Sequence, residues 1–321
     1  MAPVLEVSGL TTVFRTRTGI VRAVQDLSFS VEAGETLAIV GESGCGKTMT
    51  ALSLMRLVPT PPGEITAGTV KVAGTDLLAL DEASMRKMRG TQIAMIFQEP
   101  MTALNPLFTI GRQIAEMVSL HENVSRRAAN ARAVEMLHQV RIPAPERRAR
   151  ESPHQLSGGM RQRAMIAMAL ACKPKVLIAD EPTTALDVTI QAQVLDLIDD
   201  LRKELGTAVV LITHDLGVVA ETADRMIVMY AGRKVEEGRT KDLFADPCHP
   251  YLQGLLASVP RLGAAGSERL REIPGIVPAL SDLPKGCAFA PRCPSAIGIC
   301  QDAIPPLETK RPDHTAACWV T

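Results

Sequence analysis

The chain is poor in aromatic residues, which make up 3% of its 321 positions, with one tryptophan and two tyrosines. A core of this size with so few rings has to be filled by aliphatic and thioether side chains, and the 14 methionines meet that need. Net charge is missing too: 35 Lys and Arg balance 35 Asp and Glu. That balance removes any general attraction to nucleic acid, so no nucleic-acid partner is expected beyond what a local basic patch could hold. Long apolar runs are absent, the longest being Ala164–Cys172, which is too short to cross a bilayer. The opening residues Met1-Ala2-Pro3-Val4-Leu5-Glu6 lack a basic segment followed by an apolar stretch, so no secretory signal is expected. The expected compartment is the cytoplasm, with any membrane association made through a partner. No internal repeat is found, and the length allows one large domain or two smaller ones.

What is present is concentrated in short motifs. Gly41-Glu42-Ser43-Gly44-Cys45-Gly46-Lys47-Thr48 has the form G-x-x-x-x-G-K-[ST]. It follows the apolar run Thr36–Val40 and precedes Met49–Met55, so a strand delivers the loop and a helix leaves it. Glycines let the backbone curl until successive N–H groups converge on a phosphate chain, aided by the positive end of the helix dipole. Lys47 supplies a charge for the β- and γ-phosphates, and the Thr48 hydroxyl is placed for Mg²⁺. The pattern predicts a nucleoside triphosphate ligand.

Strand patterns are expected at residues 4–14, 21–31, 36–40, 68–72 and 93–97, and again at 176–179 and 208–212. The last two are short apolar runs that fit buried parallel strands. From about 108 to 172 the texture is helical, with Ser125 a candidate N-cap for a helix carrying Ala133, Met136, Leu137 and Val140 on one face. Residues 225–235 read as a hairpin turning at Ala231-Gly232. Beyond Pro247 proline becomes frequent and periodicity fades, which predicts a loop-rich appendage needing a staple other than a large core.

Three further motifs carry chemistry. The run Val176–Ala179 ends in Asp180-Glu181: Asp180 is placed to complete a Mg²⁺ shell, and Glu181 to orient or deprotonate an attacking water. His214 ends the strand Ala208–Thr213, where it is a candidate hydrogen-bond donor to a γ-phosphate. Leu156-Ser157-Gly158-Gly159-Met160 precedes the helical run Arg161–Leu170, making a second anion-ready helix start with a hydroxyl and bare N–H groups. Separately, Cys287, Cys293, Cys300 and Cys318 crowd the tail, while Cys45, Cys172 and Cys248 are scattered. Four thiolates can ligate Zn²⁺ tetrahedrally or hold an iron–sulfur cluster, and the spacing matches no compact C-x-x-C ribbon.

Taken in order and spacing, Gly41–Thr48, Gln98, Leu156–Arg163, Asp180-Glu181, Ala185-Leu186-Asp187 and His214 resemble an ATP-binding cassette ATPase over residues 4 to about 245. The resemblance implies an α/β P-loop fold with a core sheet, an antiparallel β subdomain and an inserted helical subdomain at about 99–172. It also implies that Gln98 links the γ-phosphate and Mg²⁺ to the helical lobe. Phe14 is the residue similar to the one that stacks on adenine, and Asp187 belongs to a loop crossing a dimer interface. Such cassettes pair head to tail, with Ser157, Gly158, Gly159 and Met160 completing the partner's ATP site. Met160 stands where glutamine is commoner, without loss of a phosphate donor.

The tail resembles the extension of ATPases serving peptide importers and related nickel importers. The residues that carry this are His249-Pro250-Tyr251, Leu255-Leu256, Pro274–Pro278, Gly286-Cys287 and Pro291-Arg292-Cys293-Pro294. Met160 together with Gln191-Ala192-Gln193 is similar to the first of two ATPase subunits in such systems. The resemblance implies a nucleotide-binding domain at 1–245 and an extension at 246–321 whose Cys287, Cys293, Cys300 and Cys318 hold a [4Fe–4S] cluster. It further implies two membrane permeases, a second related or identical ATPase subunit and a periplasmic or surface binding protein, with this chain peripheral on the cytoplasmic face of the inner membrane. Di- and oligopeptides are the expected cargo; nickel, another small solute, or export by the same motor are the alternatives.

Overall fold

The computed structural model describes residues 2–17, 19–184, 186–258 and 272–321. In chain order the strands are β1 (Leu5–Thr16), β2 (Gly19–Val31), β3 (Thr36–Val40), β4 (Gly63–Val72), β5 (Thr75–Asp76), β6 (Ile93–Ile96), β7 (Val176–Asp180), β8 (Ala208–Ile212), β9 (Arg225–Tyr230), β10 (Arg233–Arg239), β11 (Glu308–Arg311) and β12 (His314–Ala316). The helices are α1 (Lys47–Leu54), α2 (Glu82–Met88), α3 (Pro100–Ala103), α4 (Ile110–His121), α5 (Arg126–Gln139), α6 (Pro145–Arg148), α7 (Gly158–Leu170), α8 (Val188–Leu205), α9 (Leu216–Thr222), α10 (Thr240–Ala245), α11 (Pro250–Ala257) and α12 (Ile299–Asp302). The expected strands are all found, although β4 begins five residues earlier than the apolar alternation indicated. One sheet orders β2-β1-β4-β5, with β4 and β5 antiparallel.

The chain forms two compact units. One comprises Met1–Glu6, Ser30–Glu35 and Thr69–Leu211. Its strands run β8-β7-β6, with β6 and β7 parallel and in register from Ile93 opposite Val176 to Ile96 opposite Ala179. All five residues of β7 and of β8 are buried, as expected for strands covered on both faces. The helical lobe is built from α3 to α7. Ser125 caps α5 by accepting from the Ala128 N–H, and Ala133, Met136, Leu137 and Val140 are all buried, as the spacing predicts.

The other unit comprises Val7–Phe29, Thr36–Gly68 and Ile212–Thr321. Here β3 pairs parallel with β9, and β9 turns back through Ala231-Gly232 into β10, with Tyr230 opposite Arg233. Ala231 and Gly232 both take positive φ, which gives the tight two-residue reversal. The appendage is loop-rich from 272 to 307 but not throughout. It ends in β11 and β12, and β12 pairs antiparallel with β10, giving the run β11-β12-β10-β9-β3. Four- and three-residue strands are too short to show a period, so the sequence could not reveal them.

A buried carboxylate ties this tail down. Glu236 on β10 is 0% exposed and accepts from the Cys248 N–H (2.6 Å) and the His249 N–H (2.9 Å). His314 Nε2 on β12 lies 2.7 Å from the same carboxylate. Burial raises the Glu236 pKa, and these hydrogen bonds oppose that rise. Glu236→Ala strands two buried N–H groups and the imidazole at once. It is expected to cost about 3–5 kcal/mol in denaturant unfolding of the full chain; a loss below about 1 kcal/mol would show that the tail does not depend on this hub.

Candidate functional site

Strand β3 ends at Val40 and helix α1 starts at Lys47, so the segment expected to hold phosphate does run from a strand into a helix. Its glycines are required by space as well as by conformation. Gly41 has φ 154°, and a Cβ there would lie 2.3 Å from the Met229 carbonyl oxygen. Gly46 has φ 102°, and a Cβ there would lie 2.4 Å from the Ala23 oxygen. Four of the loop's carbonyls are engaged by neighbouring donors. Lys47, 6% exposed, arches back to donate to Gly41 (2.7 Å) and Glu42 (3.2 Å). The Gly232 N–H donates to Cys45, and Thr50 Oγ1 donates to Gly46. The Cys45 thiol is buried and its pKa is pushed up by that burial, so it is a packing group and not a reactive one. Ser43 and Gly44, at the crest, are exposed, and Thr48 is half-buried in the first turn of α1.

Two residues that the sequence offered only as subfamily markers reach this loop. The Glu42 N–H donates to the Tyr251 hydroxyl at 2.8 Å. The Glu42 carboxylate is gripped in a two-pronged ion pair by Arg292, with Nη1 to Oε2 at 2.7 Å and Nη2 to Oε1 at 3.0 Å. Arg292 is buried, and Glu42, first among its partners, raises its pKa further. Around the pair stand Tyr230, Tyr251 and Phe289, with ring centroids 4.7–5.3 Å apart. No motif links residues 209 and 250 positions apart, so only the fold could reveal these contacts. In the same unit, Phe14 is half-buried on β1, and a Cβ at Gly63 would lie 3.1 Å from its ring. His214 is exposed just beyond β8.

The carboxylate and signature residues belong to the other unit. Asp180 closes β7 and is 1% exposed. Glu181 follows with φ 45°, a conformation that costs energy in a residue with a Cβ and that clusters at functional positions. Its carboxylate accepts from Gln98 Nε2 (3.0 Å) and Thr184 Oγ1 (2.9 Å), so the fold brings Gln98 and Glu181 together. Ser157 caps α7, accepting from the Met160 N–H, and the buried Gln162 on that helix donates to the Pro182 carbonyl. Ser157, Gly159 and Met160 line an open hollow of about 540 Å³ shared with Arg141 and Arg163. Asp187 is exposed and caps α8 by accepting from the Ile190 N–H at 2.9 Å; Ala185, beside it in the interface motif, lies outside the described residues. Of the arginines at 147–150, Arg147 and Arg150 are exposed, whereas Arg148 is half-buried against Glu151 at 2.7 Å.

The four tail cysteines converge. Cys287, Cys293, Cys300 and Cys318 line one small cavity together with His249, Pro250, Phe289 and Trp319. Cys287 donates its N–H to the Cys300 carbonyl at 2.8 Å, and the Trp319 indole donates to Ala303 at 3.1 Å. Burial pushes the Cys287 and Cys293 thiols up. Neighbouring thiols push them the same way: Cys300 and Cys293 act on Cys287, and Cys318 and Cys300 act on Cys293. No three of these four sulfurs lie within 4.8 Å of one another; among the described residues the group meeting that spacing is Glu236, Cys248 and His314. A tetrahedral zinc with Zn–S bonds of ≈2.3 Å would hold its sulfurs about 3.8 Å apart. The four thiols share one cavity without meeting that spacing in any set of three.

Comparison with known proteins agrees with these motifs. Residues 24–184 match the ABC transporter family, and residues 235–300 match the oligopeptide/dipeptide transporter C-terminal region. A probable peptide ABC transporter ATP-binding protein of Sinorhizobium fredii is 57% identical over 98% of this chain and 94% of its own length. The oligopeptide transport ATP-binding protein OppD of Bacillus subtilis is 52% identical over 98% of this chain and 88% of its own. Among solved structures, a dimeric ATP-binding cassette in a post-hydrolysis state with ADP and Pi is 29% identical with a TM-score of 0.66, covering 74% of this chain and 98% of that one. The chain therefore belongs to the ABC transporter ATPases, in the branch that carries the oligopeptide/dipeptide transporter C-terminal region.

Proposed function

We propose that this chain is the ATP-hydrolysing subunit of a di- and oligopeptide importer. The observation that carries the reading is the near full-length likeness to peptide-import ATPases, extending through the C-terminal region as well as the cassette. Residues 1–245 form the motor, with its helical lobe at about 99–172, and 246–321 form the extension. No helix among the described residues is long and apolar enough to cross a membrane, so transport requires permease partners. Two permeases, a second ATPase subunit and a binding protein outside the membrane complete the machine, with this chain on the cytoplasmic face of the inner membrane.

The residue roles follow from chemistry. Gly41–Thr48 wraps the triphosphate, with Lys47 on the β- and γ-phosphates and Thr48, Gln98 and Asp180 around Mg²⁺. Phe14 stacks on adenine. Glu181 takes a proton from the attacking water, and its strained backbone and its bond to Gln98 support a role for a carboxylate aimed by its surroundings. His214 donates to the γ-phosphate. Ser157, Gly158, Gly159 and Met160 serve the partner's ATP; the basic hollow beside them, with Arg141 and Arg163, suits an approaching anion. Asp187 lies on the loop facing the partner cassette.

A [4Fe–4S] cluster held by Cys287, Cys293, Cys300 and Cys318 fits the convergence of four thiols on one cavity. Iron–thiolate ligation would supply the tail with the folding free energy that its small apolar core lacks; its role is structural.

Glu181→Gln is expected to keep ATP binding while losing about 10²–10⁴ in hydrolysis rate, accumulating as an ATP-bound dimer in gel filtration. Hydrolysis at the wild-type rate would remove Glu181 as the base. Anaerobically purified protein is expected to be brown, with a broad absorption at the violet end of the visible range that Cys→Ser at any of the four positions bleaches. Colourless protein with one zinc per chain would replace the cluster by zinc, and metal-free protein would end the case for ligation.

A further inference from the structure

We propose that Arg292 is a positioning residue for ATP: it neutralises the carboxylate that Glu42 places inside the phosphate loop and so sets nucleotide affinity from the C-terminal extension. The inference goes beyond the transport reading and needs only that Gly41–Thr48 binds a nucleoside triphosphate.

A loop that gathers N–H dipoles and a lysine for a polyanion gains nothing from an acidic residue at its second position. Left bare, the Glu42 carboxylate opposes the phosphate chain by like charge, and the low dielectric of a partly buried site strengthens that repulsion. Arg292 removes the conflict. Both of its terminal nitrogens bond Glu42, at 2.7 and 3.0 Å, in the two-pronged geometry that guanidinium and carboxylate share. The remaining donors are occupied as well: Nε donates to the Pro274 carbonyl (3.0 Å), Nη2 to Ile273 (3.3 Å) and Nη1 to the Tyr230 hydroxyl (3.4 Å). With its side chain 4% exposed and every nitrogen engaged, Arg292 has no freedom to leave Glu42 for solvent or for the nucleotide. It acts on ATP through Glu42 and does not touch it.

Tyr251 holds the other half of the same residue. Its hydroxyl accepts the Glu42 N–H at 2.8 Å, and its ring is 0% exposed, packed on Tyr230 and Phe289. Glu42 is thus fixed by backbone from α11 and by side chain from the Ala290–Arg292 turn. The exposed crest of the loop, Ser43-Gly44, follows directly after this anchored residue.

The test is a charge-swap cycle in the full-length chain, read as ATP dissociation constant by equilibrium titration with a fluorescent ATP analogue. Arg292→Ala is expected to weaken binding about tenfold, and the loss should grow as ionic strength falls, because an uncovered charge is screened by salt. In a Glu42→Gln background the same Arg292→Ala change is expected to cost less than about twofold, since no carboxylate remains to be neutralised. Arg292→Lys, which keeps the charge without the two-pronged grip, should fall between. If Arg292→Ala costs as much in the Glu42→Gln background as in the wild-type chain, the residue merely holds the tail together and the proposal is overturned. Wild-type affinity in the single variant overturns it equally.

Discussion

An anion-binding loop with a carboxylate inside it is an electrostatic contradiction, and the arrangement around Glu42 resolves it. The loop's curl is set by glycines pressed against the Met229 and Ala23 carbonyls and by Lys47 bonded back onto Gly41 and Glu42. Those contacts shape the backbone but leave the Glu42 charge unanswered. Arg292 answers it from a segment 250 residues away, and Tyr251 secures the same residue's N–H. In this chain the loop at Gly41–Thr48 is thereby held by contacts from Tyr251 and Arg292 near the C-terminal end, within one compact unit.

The same constraint explains where the two tyrosines go. Both tyrosines of the chain, with Phe289, form a single ring cluster beside the Arg292–Glu42 pair, with Tyr230 edge-to-face on the other two. Burying an ion pair costs desolvation, which good geometry and full hydrogen bonding offset. The rings exclude water while the Tyr230 hydroxyl and the carbonyls of Ile273 and Pro274 take up the remaining guanidinium donors. Close by in sequence, Glu236 gathers Cys248, His249 and His314, so the extension is attached through a second buried carboxylate on β10. The cysteine cavity shares His249 and Phe289 with these contacts, which places the four tail cysteines beside the segment that presents Arg292.

Much of the cassette was legible in advance because its signals are local. Val176–Ala179 and Ala208–Ile212 are short apolar runs and became buried strands; Ser125 and Ala133–Val140 have helical spacing and became a capped, half-buried helix. The Gln98–Glu181 bond is a product of the fold, since nothing in the local pattern joins residues 83 apart. The strands β11 and β12 leave no trace in the sequence because runs of four and three residues carry no measurable alternation and take their order from the β10 edge they extend.

By itself, then, the sequence determined the phosphate loop, the carboxylate-ended strand, the signature helix start and the presence of four clustered tail cysteines. Each depends on residue types at short, fixed spacing, and backbone geometry turns such spacing into shape without help from distant parts of the chain. Tertiary structure alone decided that Arg292 and Tyr251 close on Glu42, that Glu236 meets His314, and that the four tail cysteines line one cavity. These are pairings between residues tens to hundreds of positions apart. Charge and hydrogen-bond complementarity make them favourable, but only the packing of strands and tail brings the partners within reach.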